Sequence, residues 1–257
     1  GARRPARAYG AVRGAPCGGP RLFAQTIPKG RKNPMVSIAI DGPAGAGKSS
    51  ICTRLAQELH YLHIDTGALY RSVGLFVLRQ NKNPTDVLPL LPHSHIDLRF
   101  EAGEQRILLN GEEVSEAIRL PEASAAASAV SALPEVRAYL LEQQRSLARQ
   151  YNVIMDGRDI GTVVLPQATI KIYLTAAPEA RARRRWLQQQ KKGITESYED
   201  VLAAVIKRDY DDSHRAAAPL RQAEDAWLCD STHLDFEGTV QAILAYIRQR
   251  IGEVPCR

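Results

Sequence analysis

The stretch at residues 38–50, Ile-Ala-Ile-Asp-Gly-Pro-Ala-Gly-Ala-Gly-Lys-Ser-Ser, sets the reading of the whole chain. The apolar run over 36–40 predicts a buried strand, Gly42, Gly45 and Gly47 predict a turn, and the periodic apolar residues after Lys48 predict a helix. The spacing Gly42-x-x-x-x-Gly47-Lys48-Ser49 is that of a phosphate-binding loop, in the required context of strand before and helix after. Glycines adopt backbone angles closed to other residues, so successive amide N–H groups turn inward around an anion. The positive end of the following helix adds to the attraction. Lys48 is placed to reach terminal phosphates, and the Ser49 hydroxyl to meet Mg²⁺.

At 257 residues the chain is long enough for one large α/β domain, or for a domain with an inserted lobe. A hydrophobic content of 44% and a charged content of 24% are ordinary for a soluble globular protein, and no apolar run predicts a membrane span. Cys17, Cys52, Cys229 and Cys256 are scattered, without a C-x-x-C pair or a Cys/His cluster. That spacing argues against disulfides and zinc, and fits a reducing, cytoplasmic setting. The net charge of +6 misleads, because residues 1–34 hold six Arg and two Lys with no acid, leaving residues 35–257 slightly acidic. A nucleic-acid-binding reading based on overall basicity is discounted accordingly. Six Gly and five Pro without a hydrophobic period predict that residues 1–34 are a disordered basic extension. Its arginines give it a faint likeness to an organelle transit peptide, but the absence of serine and the Gly/Pro content oppose an amphipathic helix. Met35 stands one residue before the first strand, so an upstream extension dispensable for activity is the expected reading of 1–34.

Residues 47–60 place Ile51, Leu55, Ala56 and Leu59 on one helical face. Residues 61–64 read as a second strand, and the helix that follows 65–71 runs to about Gln80, where Asn83-Pro84 ends it. Residues 94–118 change character. Alternation over 96–100, a turn at Ala102-Gly103, a returning run at 106–109 and a hairpin turn at Asn110-Gly111 predict a small antiparallel sheet. The Ala/Ser-rich segment 122–132 reads as a surface helix or linker, and 134–150 as a helix opened by Pro134. Residues 153–155, 170–174 and 226–229 read as further strands, and 180–190, 197–214 and 236–251 as helices. Strands alternating with helices predict an α/β fold with a mostly parallel sheet, whose ligands bind at the carboxyl ends of the strands. Segments 41–49, 65–71 and 156–161 all follow strands, so they should converge there.

A phosphate-binding loop fixes one nucleoside triphosphate and leaves the acceptor of its phosphoryl group open. Arg71 and Arg158 stand just past strand ends, and Arg208, Asp212 and Arg215 share a helical stripe at i, i+4 and i+7. Phosphoryl transfer demands positioning and charge neutralisation more than covalent chemistry, and guanidinium forks pair two-pronged with phosphate. Surplus arginine therefore predicts a second anionic substrate. Arg181, Arg183 and Arg185 read equally well as a solvated helix face with ordinary ion pairs. The six histidines are scattered, and His93-x-His95 reads as a surface loop rather than a metal site.

The motifs DGPAGAGKSS at 41–50, DTGALYR at 65–71, IR at 118–119, PEVR at 134–137, DGRDIGTVV at 156–164 and KRDYDDSHRAAAPL at 207–220 resemble those of the bacterial-type cytidylate kinases. The resemblance covers about residues 35–250 and implies the nucleoside monophosphate (NMP) kinase fold of the P-loop proteins. That fold is a five-stranded parallel sheet flanked by helices, with an inserted NMP-binding lobe carrying a small antiparallel sheet, and a helical lid. It implies a core at 35–66, 150–180 and 215–251, a lobe at about 67–149 with its sheet at 94–118, and a lid at about 181–214. The implied reaction is transfer of the γ-phosphoryl group of ATP, with Mg²⁺, to CMP or dCMP, by a cytoplasmic monomer without nucleic-acid or membrane partners.

By that resemblance Gly42, Pro43, Ala44, Gly45, Ala46, Gly47, Lys48, Ser49 and Ser50 would hold ATP, with Arg184 and Arg181 from the lid. Arg71, Arg158 and Arg215 would hold the acceptor phosphate, near Thr66 and Tyr70. Ser128, Arg137 and Asp159 would read the base, and Arg208 and Asp212 would hold the sugar. Lys48, Arg158 and Arg184 are the expected catalytic groups, and the Mg²⁺ contact is left open between Ser49 and Ser50, which stand where some members have Gly-Thr. Thr66 replaces the serine of some members and keeps a hydroxyl. Two rivals stand beside this reading. A P-loop kinase of another small acceptor, such as shikimate or a nucleoside, would need no second phosphate site, so Arg71 and Arg158 would be dispensable. A nucleotide-dependent nucleic-acid-binding protein would use the basic extension and bind in a salt-sensitive way.

Overall fold

In a computed structural model of the chain, the strand that leads into the glycine turn, β1 (Ser37–Asp41), lies at the centre of a five-stranded parallel sheet. The structure describes residues 35–101 and 104–252, so the basic extension and the turn at 102–103 lie outside the described residues. The sheet order is β2 (Leu62–Asp65), β6 (Val153–Gly157), β1, β7 (Ile170–Thr175), β8 (Trp227–Asp230). A parallel sheet needs both faces covered, and the side-chain alternation of β1 shows how. Ile38 and Ile40 pack on one face with Ile51 and Leu55 of α1 (Lys48–Leu59) and Ile243 and Leu244 of α7 (Phe236–Ile251). Ala39 faces the other way, into a cluster with Leu69 and Val73 of α2 (Thr66–Arg79) and Leu140 of α4 (Pro134–Gln150).

The register levels the carboxyl ends of three strands. Ile40 and Asp65 both pair with Asp156, and Asp41 pairs with Gly157. The loops that leave these ends therefore start from one rim, as the sequence requires of 41–49, 65–71 and 156–161. The expected strands are all present, each reaching one or two residues further at its carboxyl end, so that Asp41 and Asp65 end strands and Asp156 lies inside one rather than beginning a loop.

The inserted sheet is β3 (Ile96–Glu101), β4 (Glu104–Leu109) and β5 (Glu112–Glu113), antiparallel as expected. Asn110 and Gly111 turn it with φ of 52° and 87°, the left-handed pair that a tight hairpin turn uses. The segment expected to be a surface helix or linker is a helix with one exposed face and one buried face. α3 (Pro121–Ser131) presses Ala123, Ala126, Ala127 and Val130 inward, largely against α2. A Cβ on Gly74 of α2 would lie 2.9 Å from the Ala126 Cβ, so small residues on both helices let the backbones touch. The alanines of this stretch encode close helix packing on one face.

The last helical pair, α5 (Pro178–Lys191) and α6 (Tyr198–His214), forms its own small core of Ala182, Val201 and Val205. After β6 the chain makes one wide π-type turn at Ile160–Val164, which sequence periodicity did not indicate. No helix among the described residues is long and apolar enough to cross a membrane.

Candidate active site

The turn after β1 is shaped by one close approach. A Cβ on Gly42, whose φ is 149°, would lie 1.9 Å from the Leu174 carbonyl oxygen of β7, so only glycine fits. Gly47, at φ 87°, is the N-cap of α1 and offers no side-chain cap. The first-turn amides of α1 are left to serve a ligand, which is the physical basis of anion binding at a helix start. Lys48 folds back over the loop, its Nζ donating to the Gly42 carbonyl at 2.7 Å and the Pro43 carbonyl at 2.8 Å. Burial and the nearby Arg158 pull its ammonium down to about 7, a value a bound polyanion would reverse.

The loop opens onto a cavity of about 480 Å³ at the carboxyl rim of the sheet. Its wall carries Lys48 and the seven arginines 71, 137, 158, 184, 185, 208 and 215, against four carboxylates, Asp65, Asp156, Asp159 and Asp212. That two-to-one excess marks a site for anions.

The carboxylates hold the arginines in place. Asp65 caps α2 by accepting from the Ala68 N–H at 3.0 Å, and with its other oxygen takes Arg71 Nη2 at 2.7 Å. Asp212 of α6 accepts from Arg158 Nε at 2.8 Å, joining the helix to the turn after β6. Burial alone would push the Asp212 carboxyl up, but Arg158 and its neighbours hold it below the ordinary value. Asp159 pairs with Arg137, and its other oxygen lies 3.6 Å from Arg215 Nη2. Arg71 Nε, Arg208 Nε and Arg215 Nη2 are buried without a hydrogen-bond partner among the described residues. Burial and crowding by Arg158 pull Arg208 below its usual value, and burial and Arg137 do the same to Arg215. These crowded, partly unused guanidinium groups are donors ready for an anion.

On the far wall the Arg137 guanidinium stands 5.4 Å over the Tyr70 ring and donates to the Ser131 carbonyl at 3.1 Å. Burial raises the Tyr70 hydroxyl to about 12, so it stays protonated. Ser128, Tyr70, Arg137 and Asp159 thus share one side of the cavity, and Thr66 lies at its base, donating to the Asp156 carbonyl at 2.8 Å.

Four expected ligand residues are not in the wall. Gly42, Pro43 and Ala46 shape the loop from behind, and Arg181 is turned away. Arg181 is 3% exposed, donates from Nε to the Ala176 carbonyl at 2.8 Å and from Nη1 to the Ala44 carbonyl at 2.9 Å, and grips Asp209. It secures the loop to the α5–α6 pair and does not line the cavity in this structure. Arg184 does line the cavity, and now donates to the Ser231 carbonyl at 2.5 Å.

Four groups escaped the sequence reading. Arg185 and Gln188 also line the cavity from α5. Asp41 accepts the Ile160 and Gly161 N–H groups at 2.8 and 2.7 Å, tying β1 to the turn that carries Arg158 and Asp159. Asp156, one residue before the end of the strand beside β1, lines the cavity and accepts from His63 Nε2 at 2.7 Å. An acidic residue closing the strand next to a phosphate-binding loop is the signal that identifies such a group. The hydroxyls of Ser49 and Ser50 and the Asp156 carboxylate form a set of hard oxygen donors in the same cavity, the donor type that suits a small divalent cation. Cys52 joins His63 and Asp156 in a buried group whose ligand atoms lie within 4.8 Å of one another, a neighbourhood that sequence spacing did not reveal. His93 and His95 are exposed, as expected of a surface loop.

The family model described as cytidylate kinase matches residues 38–249. The chain is 50% identical over 220 residues to a cytidylate kinase of Caldicellulosiruptor saccharolyticus, covering 84% of this chain and 97% of that one. It is 51% identical over 212 residues to a cytidylate kinase of Caldicellulosiruptor bescii, covering 81% and 94%. Against a cytidylate kinase of Pasteurella multocida the identity is 43% over 219 residues, covering 84% and 96%.

Proposed function

This chain belongs to the cytidylate kinase family, and we propose that it transfers the γ-phosphoryl group of ATP to CMP or dCMP, giving CDP or dCDP and ADP. The observation that carries the reading is the excess of guanidinium groups facing the phosphate-binding loop across one cavity. One anion is accounted for by the loop. The second is what Arg71, Arg158 and Arg215 are built to receive.

In this reading the loop amides and Lys48 hold the donor β- and γ-phosphates, and Arg184 moves onto them from Ser231. The acceptor phosphate is already largely ionised at neutral pH, since its second pKa is about 6, so no general base is needed. Its oxygen attacks the γ-phosphorus in line, and the bond to the β-bridging oxygen breaks as ADP leaves. Lys48 and the arginines offset the charge on the transferring group. Mg²⁺, held by a serine after Lys48 and by Asp156, would neutralise charge on the donor phosphates. Asp159 accepts from the cytosine N4 amino group, and Arg137 donates to N3 or O2. Uracil sets acceptor against acceptor there and leaves buried groups unpaired, a mismatch of about 1–3 kcal/mol. Arg208 and Asp212 hold the sugar, and Ser128 the base.

The division into a core, an NMP-binding lobe at about 67–149 and a lid at about 181–214 is supported by the separate core of α5 and α6. The buried free thiols of Cys52 and Cys229 support a reducing setting such as the cytoplasm. The test is ADP release measured with CMP, dCMP, UMP, AMP and shikimate. Preference for CMP and dCMP is expected, and an enzyme that prefers shikimate, or that keeps its activity after Arg71→Ala and Arg158→Ala, overturns the reading.

A further inference from the structure

We propose that Gln105, on the inserted sheet, is a positioning residue for the acceptor-phosphate site, acting through Asp65 on Arg71. The inference rests on the reading of function given above.

Strand β2 forms one border of the parallel sheet, paired on one side only, with β6. Asp65, its last residue, has an N–H that the sheet does not use. That N–H donates to Gln105 Oε1 at 3.0 Å. Gln105 lies on β4, where alternation puts it on the same face as Ile107 and Leu109, both buried. An amide at the end of an apolar face is costly without a partner, and the Asp65 N–H is the partner it finds. The bond is therefore a joint between two sheets that otherwise meet across a polar cavity of about 220 Å³, lined by His63, Asp65, Arg71, Gln105 and Arg106 among others.

What hangs from this joint is the acceptor side of the active site. Asp65 is the N-cap of α2 and the carboxylate partner of Arg71, whose side chain lines both cavities. With its main chain fixed by Gln105 and its two oxygens fixed on Ala68 and Arg71, Asp65 has one placement, and so has the Arg71 guanidinium. The inserted sheet thereby sets the position of a phosphate ligand it does not itself carry. Gln105 shares its cavity with Ser49, but its hydrogen bond runs to Asp65, so the effect is expected chiefly on the monophosphate.

The experiment compares the full chain with Gln105→Leu, which removes the acceptor, and with Gln105→Met, which keeps the length and stands in should the leucine variant fold poorly. An ordinary net hydrogen bond corresponds to about two- to tenfold in binding. The expected result is a rise of that size in KM for CMP, with kcat, KM for ATP and Tm nearly unchanged. In an Arg71→Ala background the same substitution should add no further rise. An unchanged KM for CMP, a parallel rise in KM for ATP, a loss confined to Tm, or an undiminished effect in the Arg71→Ala background each overturns the inference. If the unmodified chain phosphorylates no cytidine monophosphate, the reading of function fails; if it does and both Gln105 variants are silent, only this inference fails.

Discussion

Arg181 of α5 grips Asp209 of α6 with both arms of its guanidinium, at 3.0 and 2.5 Å, while one arm also donates to the Ala44 carbonyl of the glycine turn at 2.9 Å. One buried cation thus joins α5 and α6 to the glycine-rich loop. Asp209 is only half-buried, so removing Arg181 costs chiefly the donors lost to the Ala44 and Ala176 carbonyls, about 1–3 kcal/mol. Arg181→Ala should therefore lower the urea midpoint markedly and raise KM for ATP as the loop loosens. A variant with an unchanged midpoint and only a higher KM would make Arg181 a nucleotide contact after all.

Lys48 should matter to the rate far more than to the fold. Its Nζ bonds only to two carbonyls of its own loop, so Lys48→Ala leaves no stranded charge. Loss of one donor to the transferring group is worth about 10²–10³ in kcat. Steady-state turnover at saturating CMP and ATP, with Tm as a control, is the measurement; a loss under tenfold would put the charge stabilisation elsewhere.

Asp159 should decide between pyrimidines. It is buried at 4% exposure, pairs with Arg137 and faces Arg215, and an asparagine could turn its amide to suit uracil. Asp159→Asn is expected to reduce the CMP-over-UMP ratio of kcat/KM by about five- to a hundredfold. A ratio that does not move removes the residue from base reading.

Asp41 makes a prediction about pH. Burial raises its carboxyl from 3.8 to about 6, against the pull of the Gly161 and Ile160 amides. A native carboxyl that keeps its proton longer than the unfolded one makes stability fall as pH rises from about 4 to 6, by up to about 3 kcal/mol. Asp65 and Asp212 are held below the ordinary value and act in the opposite direction, so the comparison must be with Asp41→Asn. Urea unfolding at pH 4, 5, 6 and 7 should show wild type losing ground to Asp41→Asn up to about pH 6 and none beyond. A flat difference, or one of opposite sign, would mean that the two amides outweigh burial.

The sequence carried the strand–turn–helix around Lys48 because glycine, lysine and apolar periodicity are local signals, and the helices at Pro134–Gln150 and Phe236–Ile251 begin and end where periodicity places them. It also marked Arg71 and Arg158, which stand directly after strands. What it missed depends on contacts between distant residues. The Ala/Ser run of α3 shows no strong contrast between its faces, and only its meeting with Gly74 makes the alanine face core. Arg181 is one of four arginines in five positions, and which of them turns inward is decided by Ala44 and Asp209, 137 and 28 residues away. Asp156 and Gln105 likewise gain their meaning from partners on other strands.

The central place of β1 bears on how the protein is made. Ser37 pairs with Val153, 116 positions further along, and the other neighbour, β7, comes later still. On a ribosome the phosphate-binding segment therefore emerges long before either flanking strand exists, and Ile38 and Ile40 wait without their neighbours. Pairing at such separation is slow, and an unpaired apolar strand invites association between nascent chains. Cells starved of chaperones should lose this enzyme to insoluble material during synthesis, before any loss shows in the finished molecule.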